Sequence, residues 1–414
     1  MQIRRPVLIL ITAFCGTFVG FGSILVFTFG VFMKPLTTAL SWTRGQVSLA
    51  FTVAAVTVAF CSPFIGRLLD RFSARRIIIP CTVVYGLAFA SLSLLTKHLE
   101  QFIATFVVMG IVGNGTTALG YARVVSAWFV ETRGRALAAV MTGSAAGSMI
   151  FPPLAQWLIS AYGWRTAYAL LGALILLMGV PLTAAFLQEP SELEAPVHAR
   201  QCTPRSAGIL RDLFSISFLC IGGALVLFSL STNGLEAHLP PLLTDKGFLP
   251  ARAAAILSLA GFASLVSRIV TGYMLDRFFA PYLVAVLFLV SAAGFLLILY
   301  GASVGVAAIG AICLGAGLGA ESDAVPYLLT RFFGLERFSE LYGYTWSAYA
   351  IAGASGPLIM GSAFDRTGSY RGPLLVFCGL VIVAACLLAC LPDYRKDRSA
   401  KPDSVQDAAD LHPA

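Results

Sequence analysis

Long apolar stretches separated by short polar connections run through nearly the whole of this 414-residue chain. Each stretch has about 20 residues, which is enough for a helix to cross a hydrocarbon core of about 30 Å. The pattern therefore predicts an all-α membrane protein with twelve transmembrane helices. The predicted spans are 7–32, 46–66, 77–96, 101–126, 136–160, 165–187, 216–235, 253–275, 281–300, 305–329, 340–363 and 371–392.

Two polar segments divide the chain. Gln188–Ser215 is the longest internal connection and contains proline, and the segment after Asp393 is charged and predicted to be a disordered cytoplasmic tail. The first apolar stretch begins at Val7 and is too long for a cleaved signal peptide. The expected domains are an N-terminal six-helix half (1–187), a cytoplasmic linker (188–215), a C-terminal six-helix half (216–392) and the tail (393–414).

Composition agrees with a membrane protein. Hydrophobic residues make up 58% of the chain and charged residues only 12%, about half the charged share of a soluble domain. The nine cysteines lie mostly within apolar runs and form no CxxC motif or Cys/His cluster. We expect these cysteines to be small core residues that form no disulfide and bind no metal or cofactor.

The net charge of +8 has an explanation that needs no nucleic acid. Most of the 28 Lys and Arg residues fall on one side if the N-terminus is cytoplasmic, as the positive-inside rule requires. This bias predicts that both termini are cytoplasmic. The expected location is the plasma membrane, specifically a bacterial inner membrane, with the lipid bilayer as the surrounding partner.

An internal repeat appears when the chain is shifted by 206 residues. Matches at one offset in loops and spans predict two halves in parallel orientation, with a substrate path between them near the bilayer midplane. The coinciding pairs include Gly66 and Gly272, Asp70 and Asp276, Arg71 and Arg277, and Tyr121 and Tyr327.

Each repeated GxxxDR segment is predicted to lie at a tight cytoplasmic turn. Glycine allows close helix approach, and an aspartate near the next helix can accept from unpaired backbone N–H groups. Two interpretations remain open: a gate that latches the cytoplasmic face, or turn formation and topology alone. The candidate gating residues are Gly66, Asp70, Arg71, Arg75, Gly272, Asp276 and Arg277.

Arg268 is the strongest single candidate for a substrate site. It is the one charge within the predicted eighth span, at roughly 10 Å from the turn at Asp276, and its repeat counterpart is the neutral Ser62. A charge at mid-membrane costs about 2.5–3.5 kcal/mol, which bidentate binding of a carboxylate can offset. The alternative is a structural ion pair with an intramembrane acid.

Two acids in the predicted tenth span are candidates for proton coupling. Glu321 and Asp323 have the neutral repeat counterparts Gly115 and Thr117, and Glu321 is expected at nearly the depth of Arg268. An acid in a partly dry cavity can carry a proton. Alternatively, one of the two is the counter-ion of Arg268.

Further polar residues are weaker candidates. His238, with Glu236 at the outer end of the seventh span, is a candidate pH sensor. Asn114, Tyr121, Tyr327 and Tyr349 are candidates for hydrogen bonds to substrate, with packing as the alternative. The repeat-related Tyr121 and Tyr327 are expected to line one cavity.

Several motifs resemble those of a known family. GRLLDRFSARR (66–76) resembles the loop 2–3 signature of the major facilitator superfamily, and GSAAGSMIFPP (143–153) is similar to its fifth-helix motif. The resemblance covers about residues 1–392 and implies a twelve-helix fold in two halves.

Within that superfamily the chain resembles the monocarboxylate transporter and oxalate–formate antiporter branch. In that branch the eighth-span arginine binds the substrate carboxylate, and the matching position is Arg268. Where animal monocarboxylate transporters carry an acid this chain has Ser264, and where oxalate antiporters carry a second cation it has Tyr349. The similar segments are 30–51, 128–138, 163–165, 238–248, 267–277 and 319–343.

No nucleotide-binding or catalytic motif accompanies these features, so neither an enzyme nor an ATP-driven pump is predicted. We expect a monomeric secondary transporter of small organic anions, especially monocarboxylates, working by alternating access as a proton symporter or an exchanging antiporter. Its partners would be a small carboxylate and protons. The alternatives are a drug or metabolite exporter of the same superfamily and a transport-dead sensor or scaffold.

Overall fold

The computed structural model describes residues 4–117, 120–121, 124–125, 128–129, 133–188, 209–275, 277–334 and 338–392, and these residues are predominantly helical. Nine helices in these ranges are long and apolar enough to cross a membrane, so the prediction of an all-α multi-pass protein is confirmed. The count of twelve spans stays a prediction.

The helices are numbered here in chain order. They are α1 Arg4–Phe18, α2 Ile24–Leu40, α3 Arg44–Arg71, α4 Ala74–Ser91, α5 Leu99–Gly113, α6 Arg133–Leu174, α7 Val180–Phe186, α8 Ile209–Leu213, α9 Ile216–Asp245, α10 Pro250–Leu275, α11 Ala280–Tyr300, α12 Val304–Phe333, α13 Phe338–Thr367 and α14 Arg371–Ala389.

The first predicted span is interrupted. A break at residues 19–23 separates α1 from α2, and α2 continues to Leu40 instead of ending near residue 32. Side chains satisfy the backbone at the break: Ser23 Oγ donates to the Thr17 carbonyl at 2.6 Å, and Phe21 N donates to Thr116 Oγ1 at 3.1 Å. A non-helical segment is tolerated within a bundle when protein groups replace its lost hydrogen bonds.

Helix α6 contains a reversal between the fifth and sixth predicted spans. Gly163 has φ 82° and ψ 161°, a conformation that glycine adopts without a Cβ clash. Before it, Thr17 Oγ1 donates to the Val140 carbonyl at 2.7 Å; after it, the Tyr168 ring stacks on Phe32 at 3.8 Å. The chain therefore packs on α1–α2 first in one direction and then in the other.

The buried apolar residues form separate clusters. One cluster lies entirely within residues 218–391. The other two consist almost wholly of residues from 9 to 187. Each half of the chain thus buries its own apolar surface, while most of the predicted linker and the tail after Asp393 lie outside the described residues.

Helices α10 and α12 approach closely through glycine. A Cβ on Gly315 would lie 2.2 Å from the Ala260 carbonyl oxygen, and one on Gly319 would lie 2.3 Å from the Ser264 carbonyl oxygen. Ser267 Oγ also donates to the Ala316 carbonyl at 2.5 Å. Small residues at such a contact let two backbones meet, and this contact fixes the segment that carries Arg268.

The two halves touch along α3 with α13 and α6 with α10. Thr52 Oγ1 donates to the Ala354 carbonyl at 2.6 Å, and Ser258 Oγ donates to the Met149 carbonyl. Further contacts join the first turns of α3 to the last turns of α13. We call this end of the bundle, where α2, α9 and α13 finish and α3 begins, the closed end.

Candidate functional site

A polar network joins the halves at the closed end. Arg44 at the start of α3 donates to both carboxylate oxygens of Asp245 at the end of α9, at 2.6 and 3.1 Å. Lys34 Nζ of α2 lies 2.7 Å from Asp245 Oδ1. The paired geometry is that of a bidentate guanidinium–carboxylate contact, which constrains direction as well as distance. The closed-end network consists of Lys34, Arg44, Ser48, His238, Asp245, Asp365 and Tyr370.

Asp365 adds a second contact between the halves. Its carboxylate accepts from the backbone N–H groups of Arg44 at 3.0 Å and Gly45 at 2.7 Å. These are the first two residues of α3, whose N–H groups have no partner within the helix. A carboxylate at a helix N-terminus is favoured both by these donors and by the helix dipole.

His238 lies inside the closed-end network and is fully buried. Its Nε2 is 2.9 Å from the Pro357 carbonyl oxygen and 3.1 Å from Ser48 Oγ, and its Nδ1 is 2.9 Å from the Tyr370 hydroxyl. A carbonyl oxygen only accepts, so Nε2 carries the hydrogen and Nδ1 of the neutral ring accepts from Tyr370. Its expected place at the outer end of the seventh span is refined by the structure: His238 bridges the two halves.

Tyr370 links the histidine to the ion pair. Arg44 Nη1 donates to its hydroxyl. Burial raises the pKa of the Tyr370 hydroxyl, against the opposing effect of the Arg44 guanidinium. The hydroxyl therefore stays protonated and can accept from Arg44 while donating to His238.

Arg268 lies ten residues, about three helical turns, beyond the Ser258 contact on α10, away from the closed end. Its apolar neighbours in the sequence suggest a buried side chain, but Arg268 is only half-buried. The adjacent Ile269 is exposed. Its guanidinium interacts electrostatically with the Tyr342 hydroxyl on α13. A half-buried cation beside a hydroxyl can bind an anion without complete desolvation of either group.

Glu321 lies in a buried polar cluster in the C-terminal half. It is 3% exposed and interacts electrostatically with the Tyr349 side chain and with Glu236, which is 8% exposed. Its described contacts are therefore with Tyr349 and Glu236, and a pairing with Arg268 is not among them. The Asp323 side chain lies outside the described residues.

The residues predicted to form hydrogen bonds with substrate lie in different parts of the molecule. Asn114 Nδ2 donates to the Val58 carbonyl at 2.6 Å, which ties α5 to α3. Tyr121 is buried in the core of the N-terminal half, whereas Tyr327 packs against the C-terminal core and accepts from Arg331 Nη2 at 3.1 Å. Tyr121 is 1% exposed and therefore lines no cavity in this structure, so the expectation that Tyr121 and Tyr327 line one cavity is wrong.

The structure describes only some of the residues in the predicted gating turns. Arg71 and Arg75 are exposed, and the Arg277 guanidinium lies 4.2 Å from the centre of the Tyr273 ring. Gly66 is helical and Gly272 has open space around it. The Asp70 side chain and all of Asp276 lie outside the described residues, so the gate stays a prediction.

The sequence interpretation missed the residues of the closed end apart from His238. Arg44, Asp245 and Asp365 were visible only as opposite charges at predicted span ends on one side of the membrane. A polar stripe was also missed: Ser229, Asn233 and Glu236 follow a spacing of four and three residues on the seventh span, which places them on one helix face.

Comparisons with known proteins agree with this architecture. The family profile of the Major Facilitator Superfamily matches residues 9–357. Monocarboxylate transporter 13 of Bos taurus is 26% identical over 383 residues, covering 90% of this chain and 88% of that protein. The uncharacterized MFS-type transporter YhjX of Escherichia coli is 23% identical over 337 residues, covering 79% of this chain and 81% of that protein.

Two solved structures share the fold. The nucleoside transporter NupG, as a D323A mutant, superposes with a TM-score of 0.73 at 14% identity, covering 93% of this chain and 98% of that one. A bacterial homologue of the human lysosomal transporter Spinster, in an inward-facing and unoccupied conformation, gives a TM-score of 0.68 at 15% identity, covering 93% and 94% of the two chains.

Proposed function

This chain belongs to the major facilitator superfamily, and we propose that it moves small organic anions, specifically monocarboxylates, by secondary active transport. It is a multi-pass membrane transporter and not an enzyme. The proposal for its substrate is supported by relatives named monocarboxylate transporters at about 25% identity.

The observation that carries the proposal is the position of Arg268. The Arg268 side chain is half-buried within an apolar helix and interacts electrostatically with the Tyr342 hydroxyl. A guanidinium presents two parallel N–H donors that match the two oxygens of a carboxylate. The desolvation of both charges is then offset by charge-assisted hydrogen bonds. One such cation suits a substrate with one carboxylate.

The structure supports alternating access with the closed end facing outward. The positive-inside rule puts Lys34 and Arg44 outside and Arg71, Arg75 and Arg277 inside. In this orientation the closed-end network seals the outer face, and Arg268 lies on the inward side of that seal. The GxxxDR turns would then latch the inner face in the opposite state.

Proton coupling is the proposed energy source, with substrate exchange as the other mode. Glu321 is a buried acid in the same half as Arg268, and intramembrane acids carry protons in many transporters. Asp323 lies two residues further along α12 and stays a candidate. His238 is a weaker one, because its ring is occupied by contacts that close the outer face.

The proposal is tested by uptake into proteoliposomes. The purified chain is given a panel of labelled acids (lactate, pyruvate, formate, an aromatic acid and oxalate), with and without an inward proton gradient. We expect gradient-stimulated uptake of at least one monocarboxylate and little uptake of oxalate. Uptake of none of these acids, together with efflux of cationic drugs, would overturn the proposal in favour of an exporter.

A sensor or scaffold makes a different prediction in the same experiment. Binding of an acid, measured by its effect on the melting temperature, would occur without flux. Protein-free liposomes and liposomes containing the Arg268→Gln variant are the controls that separate carrier-mediated uptake from leakage of the undissociated acid.

A further inference from the structure

Polar groups from three helices meet inside the C-terminal half. Helix α9 contributes Ser229, Asn233 and Glu236, α12 contributes Glu321, and α13 contributes Tyr349. Ser229 Oγ donates to the Tyr349 carbonyl at 3.1 Å, and Asn233 Nδ2 donates to the Ser229 carbonyl at 2.9 Å. These bonds fix α9 against α13.

The two carboxylates in this cluster are close enough to interact. Glu321 interacts electrostatically with the Tyr349 side chain and with Glu236. The Tyr349 side chain also contacts Ser229 and Asn233. Glu236 and Glu321 are both more than nine-tenths buried, so neither charge is screened by bulk water.

One carboxylate oxygen in the cluster has no partner. Glu321 Oε1 is buried and accepts no hydrogen bond. A buried polar atom without a partner costs roughly 1–3 kcal/mol, and more if it is charged. Two buried carboxylates that are both ionised also repel each other strongly, whereas protonation of one of them removes the repulsion.

Other charged and titratable groups lie on the helices that carry or surround this pair. On α9, His238 is two residues after Glu236 and bonds to Ser48, Tyr370 and the Pro357 carbonyl. On α10, Arg268 interacts with Tyr342. Asp323 is on the same helix as Glu321, with its side chain outside the described residues. Helix α11 carries no charged side chain, and the charged side chain of α14 is Arg371 at its first position.

We propose that Glu236 and Glu321 together hold one exchangeable proton, which makes Glu236 part of the coupling site. The inference rests on the proposed function, because it names the group that shares the transported proton. A proton on either carboxyl group leaves one anion in the cluster, and its release leaves two anions whose repulsion favours rearrangement of α9 against α12.

An aromatic ladder connects this pair to Arg268. Along α13 the Tyr342 ring stacks on Trp346 at 6.1 Å, and Trp346 stacks on Tyr349 at 5.1 Å. Tyr342 interacts with Arg268 at one end and Tyr349 contacts Glu321 at the other. A carboxylate bound at Arg268 would therefore act at one end of a row of aromatic rings whose other end interacts with Glu321.

Transport experiments can separate proton coupling from substrate binding. In wild-type proteoliposomes a gradient of one pH unit should drive about tenfold accumulation at one-to-one stoichiometry. We expect Glu236→Gln and Glu321→Gln each to abolish this accumulation while keeping exchange of labelled for unlabelled substrate, and the double variant to behave like either single one. Glu100→Gln, an exposed acid in the first turn of α5, is the matched control.

A substrate-free measurement tests the pair even if the transported acid is different. Trp346 stacks on Tyr349, so its fluorescence should change with pH as the pair loses its proton, and Trp346→Phe should remove that change. Glu236→Gln should abolish the transition. Should it fail to fold, Glu236→Asp should shift the midpoint. A wild-type transition and wild-type accumulation in a folded Glu236→Gln protein would overturn the inference, as would accumulation driven by Na⁺ alone.

The two proposals fail in distinguishable ways. If no acid is transported but the Trp346 transition depends on Glu236, the substrate proposal is wrong and the proton pair stands. If acids are transported with the proton gradient and Glu236→Gln changes neither measurement, the pair is wrong and the transport proposal stands.

Discussion

Arg44 and Asp245 join the two halves of the molecule through two parallel hydrogen bonds of 2.6 and 3.1 Å. The Arg44 side chain is 11% exposed and that of Asp245 30%. The Arg44 guanidinium also lies 3.8 Å from the centre of the Phe364 ring. Arg44 is thus held by charge, by hydrogen bonds and by an aromatic face, all of which are made across the boundary between the halves.

Asp245→Asn should shift the molecule away from the state with the closed end sealed. Losing the charge of Asp245 weakens its contacts with Arg44 and Lys34, by roughly 1–2 kcal/mol in a partly exposed pair, or about 5–30-fold in the ratio of states. The measurement is labelling of a cysteine at Ser48, buried in this structure, by an impermeant maleimide.

We expect Ser48→Cys to be labelled faster when combined with Asp245→Asn. Glu100→Gln, which neutralises an exposed acid, should leave the labelling rate unchanged. Equal labelling rates for Ser48→Cys alone, with Asp245→Asn and with Glu100→Gln would mean that the Arg44–Asp245 ion pair does not stabilise the closed state.

Arg268→Gln should raise the KM for a monocarboxylate by about 30–150-fold, because a charge-assisted bidentate contact contributes roughly 2–3 kcal/mol. Arg268→Lys should recover only part of the loss, since an ammonium group lacks the paired donors. Arg252→Gln replaces an exposed arginine in the first turn of the same helix and should transport normally. Normal transport by Arg268→Gln would exclude this residue as the anion site.

Gly315→Ala should destabilise the protein by about 1–3 kcal/mol, the usual cost of overpacking. The added methyl group would lie 2.2 Å from the Ala260 carbonyl oxygen and 2.8 Å from Ala263 Cβ, so α10 and α12 must move apart. Thermal unfolding in detergent measures the loss. Gly305→Ala meets nothing closer than 4.0 Å on the same helix, and a comparable melting decrease there would contradict the packing argument.

Lys246→Met should also lower the melting temperature. Lys246 Nζ donates to the carbonyls of Ile298, Leu299 and Gly301 at 2.5, 2.7 and 3.2 Å, near the end of α11, where carbonyls lack helical partners. Burial lowers the pKa of Lys246, so the group is already partly desolvated. The expected loss is about 1–2 kcal/mol.

Lys97→Met provides the comparison for this variant, because Lys97 is an exposed lysine in another connection. Equal melting temperatures for Lys246→Met and Lys97→Met would show that the hydrogen bonds of Lys246 stabilise the folded protein no more than hydrogen bonds to water would. A decrease confined to Lys246→Met would assign the effect to the end of α11.

The periodicity of this chain determined its class, and its motifs placed it in its superfamily. Long apolar stretches must satisfy their backbone groups internally, so they form helices wherever they cross lipid. The predicted connection between spans 136–160 and 165–187 contains Gly163, where the backbone leaves the helical conformation. Arg268 could be singled out because a charge within such a run is conspicuous in any sequence.

Only the tertiary structure decided which polar groups meet. Arg44 and Asp245 are 201 residues apart in the chain, and Glu236 and Glu321 occupy different helices whose relative rotation no local pattern specifies. Tyr121 and Tyr327 illustrate the opposite case. They occupy equivalent positions in the sequence repeat, but they pack against different neighbours in the structure. Hydrophobic spacing fixes which face of a helix is apolar, but the partner of a polar side chain depends on how helices far apart in sequence pack together.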